Sequence, residues 1–208
     1  MGFESQDIVR LPNPRFTGPL AVEQALLARR SVRKFDGDAL VLNEVAQILW
    51  AAQGITDSGA GNLRTRTAPS AGALYPLEVL LLAADVRDLP AGLYRYRAWA
   101  HALEAIASGD YRAALVKAAS GQDWIAGAAC VLALTAVYSR TTDKYGHRGE
   151  RYVHMEVGHV AQNVYLQARA LGLGTTIVGA FSDQAVQRVL HLQTDEAPLA
   201  LLPLGRLP

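Results

Sequence analysis

A cluster of positive charges lies near the start of the chain, in the stretch ARRSVRKFDG at residues 28–37. Guanidinium groups form bidentate contacts with carboxylates and phosphates, and a serine hydroxyl can donate to a phosphate oxygen. The stretch therefore predicts an anion-binding site with four candidate ligands: Arg29, Arg30, Ser31 and Arg33. The alternative is that these arginines lie at the end of a helix, favoured by its dipole, and pair with Asp36 and Asp38.

Two further stretches combine small residues with a restricted backbone. In PSAGALYPLE, residues 69–78, prolines stiffen the segment, and three small residues let backbone groups approach a phosphate or a ring: Ser70, Ala71 and Gly72. In IVGAF, residues 177–181, Gly179 permits close approach at the end of a predicted strand. Each stretch could instead be an ordinary turn beside a strand.

Lys144 and Tyr145 form a third candidate group, within the polar stretch RTTDKYGHRGER at residues 140–151. A lysine held partly desolvated beside a cationic site can act as a base, and a neighbouring phenol can relay or orient the proton. The alternative is a solvated loop in which neither side chain has a role.

The sequence shows no pattern typical of a metal site or a dinucleotide-binding domain. His154 and His159 are five residues apart on a predicted helix, so they face different directions, and no third ligand accompanies them. The GLG at residues 172–174 follows a helix instead of opening one after a strand, so it is not a Rossmann fingerprint. Cys130 is the single cysteine, which leaves no partner for a disulfide and fits a reducing cytosol.

Composition and charge limit the partners. The 208 residues are 50% hydrophobic, which favours one domain over residues 19–208, preceded by an extended arm over residues 1–18. The 20 basic and 19 acidic residues are mixed along the chain and give no broad basic face for nucleic acid. No uncharged apolar run approaches the roughly 20 residues that span a bilayer. We therefore expect a soluble, cytoplasmic protein that binds neither nucleic acid nor membrane.

The first predicted helix, from Pro19 to about Arg30, determines which way the arginines point. Three residues form its apolar face: Val22, Ala25 and Leu26. Arg29 and Arg30 continue that face, so we expect both to point toward the protein. A buried guanidinium without a partner is costly, which strengthens the expectation of an anion nearby.

Two more helices and six strands complete the pattern. One helix, over 42–53, begins near Asn43 and ends at Gly54, and a long helix over 151–171 ends at Gly172. The strands are predicted at 77–84, 92–97, 101–106, 128–137, 174–181 and 199–205, with a hairpin between the second and third. Their uneven spacing argues against a βαβ alternation. We therefore predict an α+β fold with a mixed or mainly antiparallel central sheet flanked by helices.

Five blocks, in their order and spacing, resemble the nitroreductase-like flavoprotein superfamily, and within it most closely the SagB-type dehydrogenases and oxidases. The match spans nearly the whole chain after residue 20. The blocks are RRSVRKF (29–35), PSAGALYPLE (69–78), KYGHRGERY (144–152), GHVAQNVYLQARALGLG (158–174) and IVGAF (177–181). The resemblance implies a nitroreductase-like fold and a homodimer that shares two FMN molecules across its interface.

The resemblance also implies which residues contact FMN. The phosphate and ribityl end would be held by Arg29, Arg30 and Ser31. Arg33 would reach the N1 and C2 carbonyl edge of the ring, where a cation stabilises the anionic reduced flavin. Arg206, after the last strand, would add to the phosphate site.

Two backbone segments complete the implied flavin site. One loop would come from the partner subunit and contribute five residues: Pro69, Ser70, Ala71, Gly72 and Leu74. The backbone N–H groups of Val178, Gly179 and Ala180 would lie near flavin N5, where hydride arrives and leaves. A single protomer would then hold an incomplete site.

The resemblance finally implies a reaction. In SagB-type azoline oxidases, a Lys-Tyr pair at the place of Lys144 and Tyr145 abstracts a proton while hydride passes from a thiazoline or oxazoline ring to FMN. We therefore expect an FMN-dependent oxidoreductase acting on a small molecule or a modified peptide. One alternative is a reductase of nitroaromatics or quinones, in which NAD(P)H visits the flavin as a transient reductant and Lys144 is idle. The other is a flavin-binding or sensing module without turnover.

Overall fold

The computed structural model describes residues 8–57 and 65–208. Residues 1–7 of the predicted arm and residues 58–64 lie outside this range. The strands are β1 (Ile8–Arg10), β2 (Leu40–Val41), β3 (Ile55–Asp57), β4 (Thr65–Arg66), β5 (Leu77–Ala83), β6 (Val86–Arg87), β7 (Gly92–Arg97), β8 (Ala102–Ser108), β9 (Cys130–Val137), β10 (Leu173–Thr175) and β11 (Glu196–Arg206). The helices are α1 (Val22–Ala28), α2 (Leu42–Gln53), α3 (Arg112–Ala118), α4 (Ser139–Tyr145), α5 (Arg148–Ala170) and α6 (Asp183–Val189).

Seven strands form the central sheet, in the order β1-β8-β7-β5-β9-β11-β10. Every neighbouring pair in it is antiparallel, and β7 and β8 form the expected hairpin. The prediction of an α+β fold with a mainly antiparallel sheet is confirmed. Ile8–Arg10 in the arm adds the edge strand beside β8.

The sheet is buried on both faces because its central strands are apolar at nearly every position. In β5, Val79 and Leu81 pack on the side covered by α2 and α5. Leu80 and Leu82 point to the other side, together with residues of α3 and α6. Alternate strand residues point to opposite faces, so this continuous apolar run fills two cores at once.

Helix α5 is the longest element, with 23 residues and a length of about 34 Å. Its buried face has valines at helical spacing: Val153, Val157, Val160 and Val164. The prediction of a long helix ended by Gly172 is confirmed, because Gly172 follows it with a φ of 72°. Its opposite face is exposed and includes Met155.

Three sequence predictions need correction near the candidate site. The strand over 174–181 is wrong beyond Thr175, because the Ile177 N–H donates to a side chain of α5 and only Val178 bridges back to the sheet. The loop assumed before α5 is also wrong, because Ser139–Tyr145 is helical, whereas the role of Lys144 and Tyr145 stays a prediction.

The first helix is the third correction. It ends at Ala28, and Arg29 is extended with φ −58° and ψ 127°, so the arginines do not continue a helical face. Of the predicted apolar face, Ala25 is buried, whereas Val22 and Leu26 are 64% and 52% exposed in the protomer.

Candidate functional site

The arginine segment lies against the edge of the sheet. Ser31 forms a parallel bridge with Thr175, and the Val32 N–H donates to the Thr175 carbonyl at 3.0 Å. Two glycines make this close approach possible. A Cβ on Gly174 would lie 2.6 Å from Val32 Cγ1, and a Cβ on Gly205 would lie 2.8 Å from the Phe35 ring. The segment is therefore fixed by the packing of Val32 and Phe35, whereas Arg30, Ser31 and Arg33 are exposed.

A cationic cavity of about 190 Å³ opens beside this segment. Arg29, Arg30 and Arg169 line it together with Tyr165. Arg30 donates to the carbonyls of Leu27 and Arg29, at 2.9 and 2.8 Å, which satisfies the end of α1. The cavity thus gathers three guanidinium groups beside the Ser31 segment.

Within residues 8–57 and 65–208, none of Arg29, Arg30, Arg33 or Arg169 forms an ion pair with a carboxylate. The alternative that the first cluster pairs with Asp36 and Asp38 therefore finds no support in the described part of the chain. Unpaired guanidinium groups beside a serine hydroxyl are a donor set suited to a phosphate group. The residues present fit the phosphate end of a flavin nucleotide.

Tyr165 joins this cavity to the next candidate segment, and the sequence did not single it out. Its hydroxyl lies 3.3 Å from Ser31 Oγ, donates to Thr176 Oγ1 at 3.2 Å and accepts the Ile177 N–H at 2.9 Å. The Arg29 guanidinium lies 5.2 Å from the centre of its ring. The only available signal was a tyrosine on the buried face of a helix, where a phenol needs a polar partner.

Burial alone would raise the pKa of Tyr165. Its hydrogen bonds with Ser31, Thr176 and the Ile177 N–H, together with the charge of Arg29, outweigh burial and lower that pKa. These contacts stabilise the ionised form of the phenol relative to the neutral form.

The segment after β10 presents free backbone donors. Val178 is buried and exchanges two hydrogen bonds with Leu201, at 2.8 and 2.9 Å. Gly179 and Ala180 are exposed, and their N–H groups have no hydrogen-bond partner among the described residues. A Cβ on Gly179 would meet nothing within 4 Å. Gly179 and Ala180 can therefore donate to a bound ring, whereas the Val178 N–H is already bonded to Leu201. The role predicted for all three N–H groups beside flavin N5 stays a prediction.

The loop from Pro69 to Leu74 is a tight turn with left-handed backbone. Gly72 has a φ of 64°, and Ala73 and Tyr75 also have positive φ values. The Ser70 hydroxyl accepts the Tyr75 N–H at 2.9 Å, which stabilises the turn. Asn163 of α5 donates to the carbonyl of Thr67 at 3.2 Å, so the loop is attached to the long helix.

Glu156 lies beneath this loop, 2% exposed. Burial raises the pKa of its carboxyl, and hydrogen bonds with Ser70 and Gln53 oppose that rise only in part. Arg66 is partly buried and donates to Gln53 Oε1 at 3.1 Å. A buried polar network therefore supports the turn from below.

Lys144 and Tyr145 reach the outer side of the same loop. A Cβ on Gly72 would lie 2.7 Å from Tyr145 Oη and 3.0 Å from Lys144 Nζ, so a larger residue would displace the ends of both side chains. Lys144 is exposed in the protomer, which differs from the expected partial desolvation. The Tyr145 ring packs edge-on against Tyr152, with 5.1 Å between ring centres. The structure thus brings the loop from Pro69 to Leu74 together with the Lys144–Tyr145 pair.

One protomer does not join this pair to its own cationic cavity. Tyr145 packs on Tyr152, whereas the cavity lies beside Tyr165, 13 residues farther along α5. At 1.5 Å per residue, the two positions are about 20 Å apart along the helix.

Arg206 is directed elsewhere. Its guanidinium forms a bidentate ion pair with Glu44 of α2, at 2.6 and 2.9 Å. The same carboxylate accepts the Val41 N–H at 2.9 Å and caps the helix, instead of the expected cap at Asn43. The geometry gives Arg206 a structural contact, and its role at the phosphate stays a prediction.

Other features of the described ranges bear on the earlier expectations. No helix there combines the length and apolar character needed to cross a bilayer. No group of three or more His, Cys, Asp or Glu side chains there is arranged to hold a metal ion. Cys130 is fully buried, and burial raises the pKa of its thiol to about 12, so it is not a reactive nucleophile.

The antiparallel central sheet, with a cationic cavity and open backbone donors at its edge, together with the match to a known family pattern, identifies a flavin-type oxidoreductase. The chain belongs to the nitroreductase family, whose sequence pattern matches residues 26–206. The resemblance to this superfamily is therefore confirmed.

The chain is similar to three other proteins. The Methanocaldococcus jannaschii protein MJ1384, provisionally named a nitroreductase, is 46% identical over 187 residues, which cover 90% of this chain and 91% of that protein. A crystal structure from Ralstonia eutropha, also of a provisionally named nitroreductase, has a TM-score of 0.84 at 30% identity and covers 97% of this chain and 90% of that one.

The third is the microcin B17-processing protein McbC of Escherichia coli, 30% identical over 171 residues, or 79% of this chain and 61% of McbC. The structure of the McbBCD complex with truncated pro-MccB17 bound matches with a TM-score of 0.72 at 26% identity, covering 95% of this chain and 77% of that one. The chain thus spans about three fifths of McbC. This similarity agrees with the SagB-type branch.

Proposed function

We propose that the protein is an FMN-dependent oxidoreductase of the SagB type, which transfers hydride from its substrate to flavin at the interface of a homodimer. The observation that carries this proposal is the set of guanidinium groups without a carboxylate partner beside Ser31. The Tyr165 hydroxyl connects Ser31 to the Ile177 N–H, two residues before the free N–H group of Gly179. Bound FMN would supply the acceptor for the hydride.

The separation of the two halves of the site supports a homodimer. Tyr145 packs on Tyr152, which lies about 20 Å along α5 from Tyr165 at the cationic cavity, and this distance favours a second copy as the source of one half. The apolar side chains exposed around α5, Val22, Leu26 and Met155, fit a face that becomes buried between copies.

Within such a dimer, Lys144 would take the proton that leaves the substrate ring as hydride passes to the flavin. Lys144 would act as the neutral amine, and Tyr145 would orient that proton, because its hydroxyl and Lys144 Nζ converge on the same side of Gly72. The loss of one hydride and one proton oxidises an azoline to an azole. Similarity to McbC, a processing protein seen with a bound peptide precursor, supports a modified peptide as the substrate.

A second candidate is an NAD(P)H-dependent reductase of nitroaromatic or quinone acceptors. It is favoured by the 46% identity to MJ1384, which is named a nitroreductase. In this reaction Lys144 has no proton to remove from a carbon centre, so its side chain would be dispensable.

The first experiment is to identify the chromophore released from the purified protein and to mix the protein anaerobically with NAD(P)H. A protein that neither contains nor takes up FMN contradicts the proposal. Bound flavin whose colour is not bleached by NAD(P)H or by an azoline peptide would indicate a binding module without turnover.

Lys144→Ala then separates the two reactions, with Lys117→Ala as the matched control. Both lysines are exposed and lie in the last turn of a seven-residue helix, but Lys117 is in α3, which packs against α6 and does not line the cavity. We expect Lys144→Ala to retain FMN and to lose at least 100-fold in azoline oxidation, within the usual range for a general base. Unchanged NAD(P)H-driven reduction, with no azoline oxidation by the unmodified protein, would support the reductase.

A further inference from the structure

The hydroxyl of Tyr165 is the point where two separate parts of the candidate site meet. On one side it contacts Ser31, which is next to the arginines of the cationic cavity. On the other side it accepts the Ile177 N–H, two residues before Gly179. Ser31 and Tyr165 are 134 residues apart in sequence, so only the folded chain creates this contact.

The hydrogen bonds of this hydroxyl are saturated. A phenol has one proton to donate and two lone pairs to accept. The proton goes to Thr176 Oγ1, and one lone pair accepts the Ile177 N–H. The other lone pair is left for Ser31, which is then the donor in the 3.3 Å contact.

The three hydroxyl groups can also point the opposite way with no movement of their oxygens. If Thr176 donates to Tyr165 and Tyr165 donates to Ser31, the Ser31 proton becomes free for an oxygen in the cavity. The 1% exposed Thr176 lies at the closed end of this relay, and Ser31 lies at the solvent end. A phosphate group, which only accepts hydrogen bonds when fully ionised, would favour this second direction.

We propose that Tyr165 is a positioning residue that presents the Ser31 proton to the flavin phosphate and holds the Ile177–Ala180 backbone beside the flavin ring, both through one hydroxyl. This inference rests on the proposed FMN site and goes beyond it, because it assigns the link between the two ends of the cofactor to one side chain.

The test is the affinity of Tyr165→Phe for FMN and for riboflavin, which lacks the phosphate. The phenylalanine keeps the ring beneath Arg29 and removes only the hydroxyl. We expect FMN affinity to fall roughly tenfold, since a hydrogen bond to a charged group has about that effect, and riboflavin affinity to fall less. Tyr96→Phe is the matched control, because Tyr96 is 4% exposed and its hydroxyl bonds to His101, away from the cavity.

A double-mutant cycle with Ser31→Ala tests whether Tyr165 acts on the flavin phosphate through Ser31. If Tyr165 acts on the phosphate through Ser31, the preference for FMN over riboflavin should not fall further when Tyr165→Phe is added to Ser31→Ala. An unchanged preference in Tyr165→Phe, or independent effects of the two substitutions, would overturn the inference while leaving the FMN site intact.

Two other outcomes are also decisive. Should Tyr165→Phe fail to fold, Thr176→Val interrupts the same relay from its buried end, and a preference equal to that of the unmodified protein would overturn the inference. If the unmodified protein binds neither flavin, the proposed function fails first, and the positioning role fails with it.

Discussion

At the scale of single residues, the candidate site contains a turn with positive φ values and a buried carboxyl beneath that turn. Gly72 adopts a φ of 64° and lies against Tyr145 and Lys144, so the turn sets the position of that pair. Glu156 supports the same turn through Ser70. The sequence predicted that this loop belongs to the site. It did not predict that Glu156 supports the loop, because an acidic residue on a long helix is ordinarily solvated.

Glu156→Gln should stabilise the protein at neutral pH. Burial raises the pKa of Glu156 above its ordinary value of 4.5, so the folded state loses stability as pH rises through the raised pKa. The amide copies the protonated form and avoids this loss. We expect a gain of about 1 kcal/mol, or roughly 2–4 °C in Tm, at pH 7, which disappears below pH 4.5.

Urea unfolding at a series of pH values between 4 and 8, at roughly constant ionic strength, measures this gain. Glu23→Gln, at an exposed position of α1, controls for the exchange of a carboxylate for an amide. A gain that is the same at every pH, or a loss at neutral pH, would show that the carboxylate is the preferred form in the folded protein.

At the scale of elements, sequence periodicity predicted the helices and strands whose bounds depend on local packing. Helix α2 was expected over 42–53 and has those bounds, because its apolar spacing and Gly54 are both local signals. Helix α4 was not predicted, since only Thr141 of its seven residues is buried and no apolar stripe marks it. The strand over 174–181 was overextended because the Tyr165 hydroxyl, remote in sequence, takes the Ile177 N–H out of the sheet. Long-range contacts of this kind leave no periodic signal.

The packing of the arginine segment on β10 leads to a prediction for Gly174→Ala. The new methyl group would lie 2.6 Å from Val32 Cγ1 and 2.8 Å from Val32 Cβ, too close for the segment to keep its place. We expect a loss of about 1–3 kcal/mol in stability, as for an overpacked core, and at least a tenfold loss of FMN affinity.

Equilibrium dialysis with FMN and urea unfolding provide the two measurements. In the control Gly127→Ala, the methyl group would come no closer than 4.0 Å to Phe35, a residue of the same segment. FMN affinity equal in Gly174→Ala and Gly127→Ala would mean that the segment does not hold the cofactor.

At the scale of the whole molecule, the site is divided between the two ends of α5, and the exposed apolar residues are distributed accordingly. Of the eight large apolar side chains that are exposed in the described ranges, six lie in residues 16–27, in α5 and in the segment after β10. These are Phe16, Val22, Leu26, Leu27, Met155 and Ile177. The other two, Ile8 and Trp99, lie at the far edge of the sheet, beside β8.

Met155→Arg should therefore separate the protein into monomers that no longer retain FMN. Met155 is 52% exposed in the protomer and lies on the outer face of α5, where a guanidinium enclosed between two copies would be unpaired and costly by several kcal/mol. Trp99→Arg is the control, because it places the same charge at a 71% exposed apolar position away from α5. Sedimentation velocity gives the oligomeric state, and flavin absorbance in the sedimenting boundary gives the occupancy. Unmodified protein that sediments as a monomer with flavin bound would contradict the shared site, since one protomer would then hold the cofactor without a partner's loop.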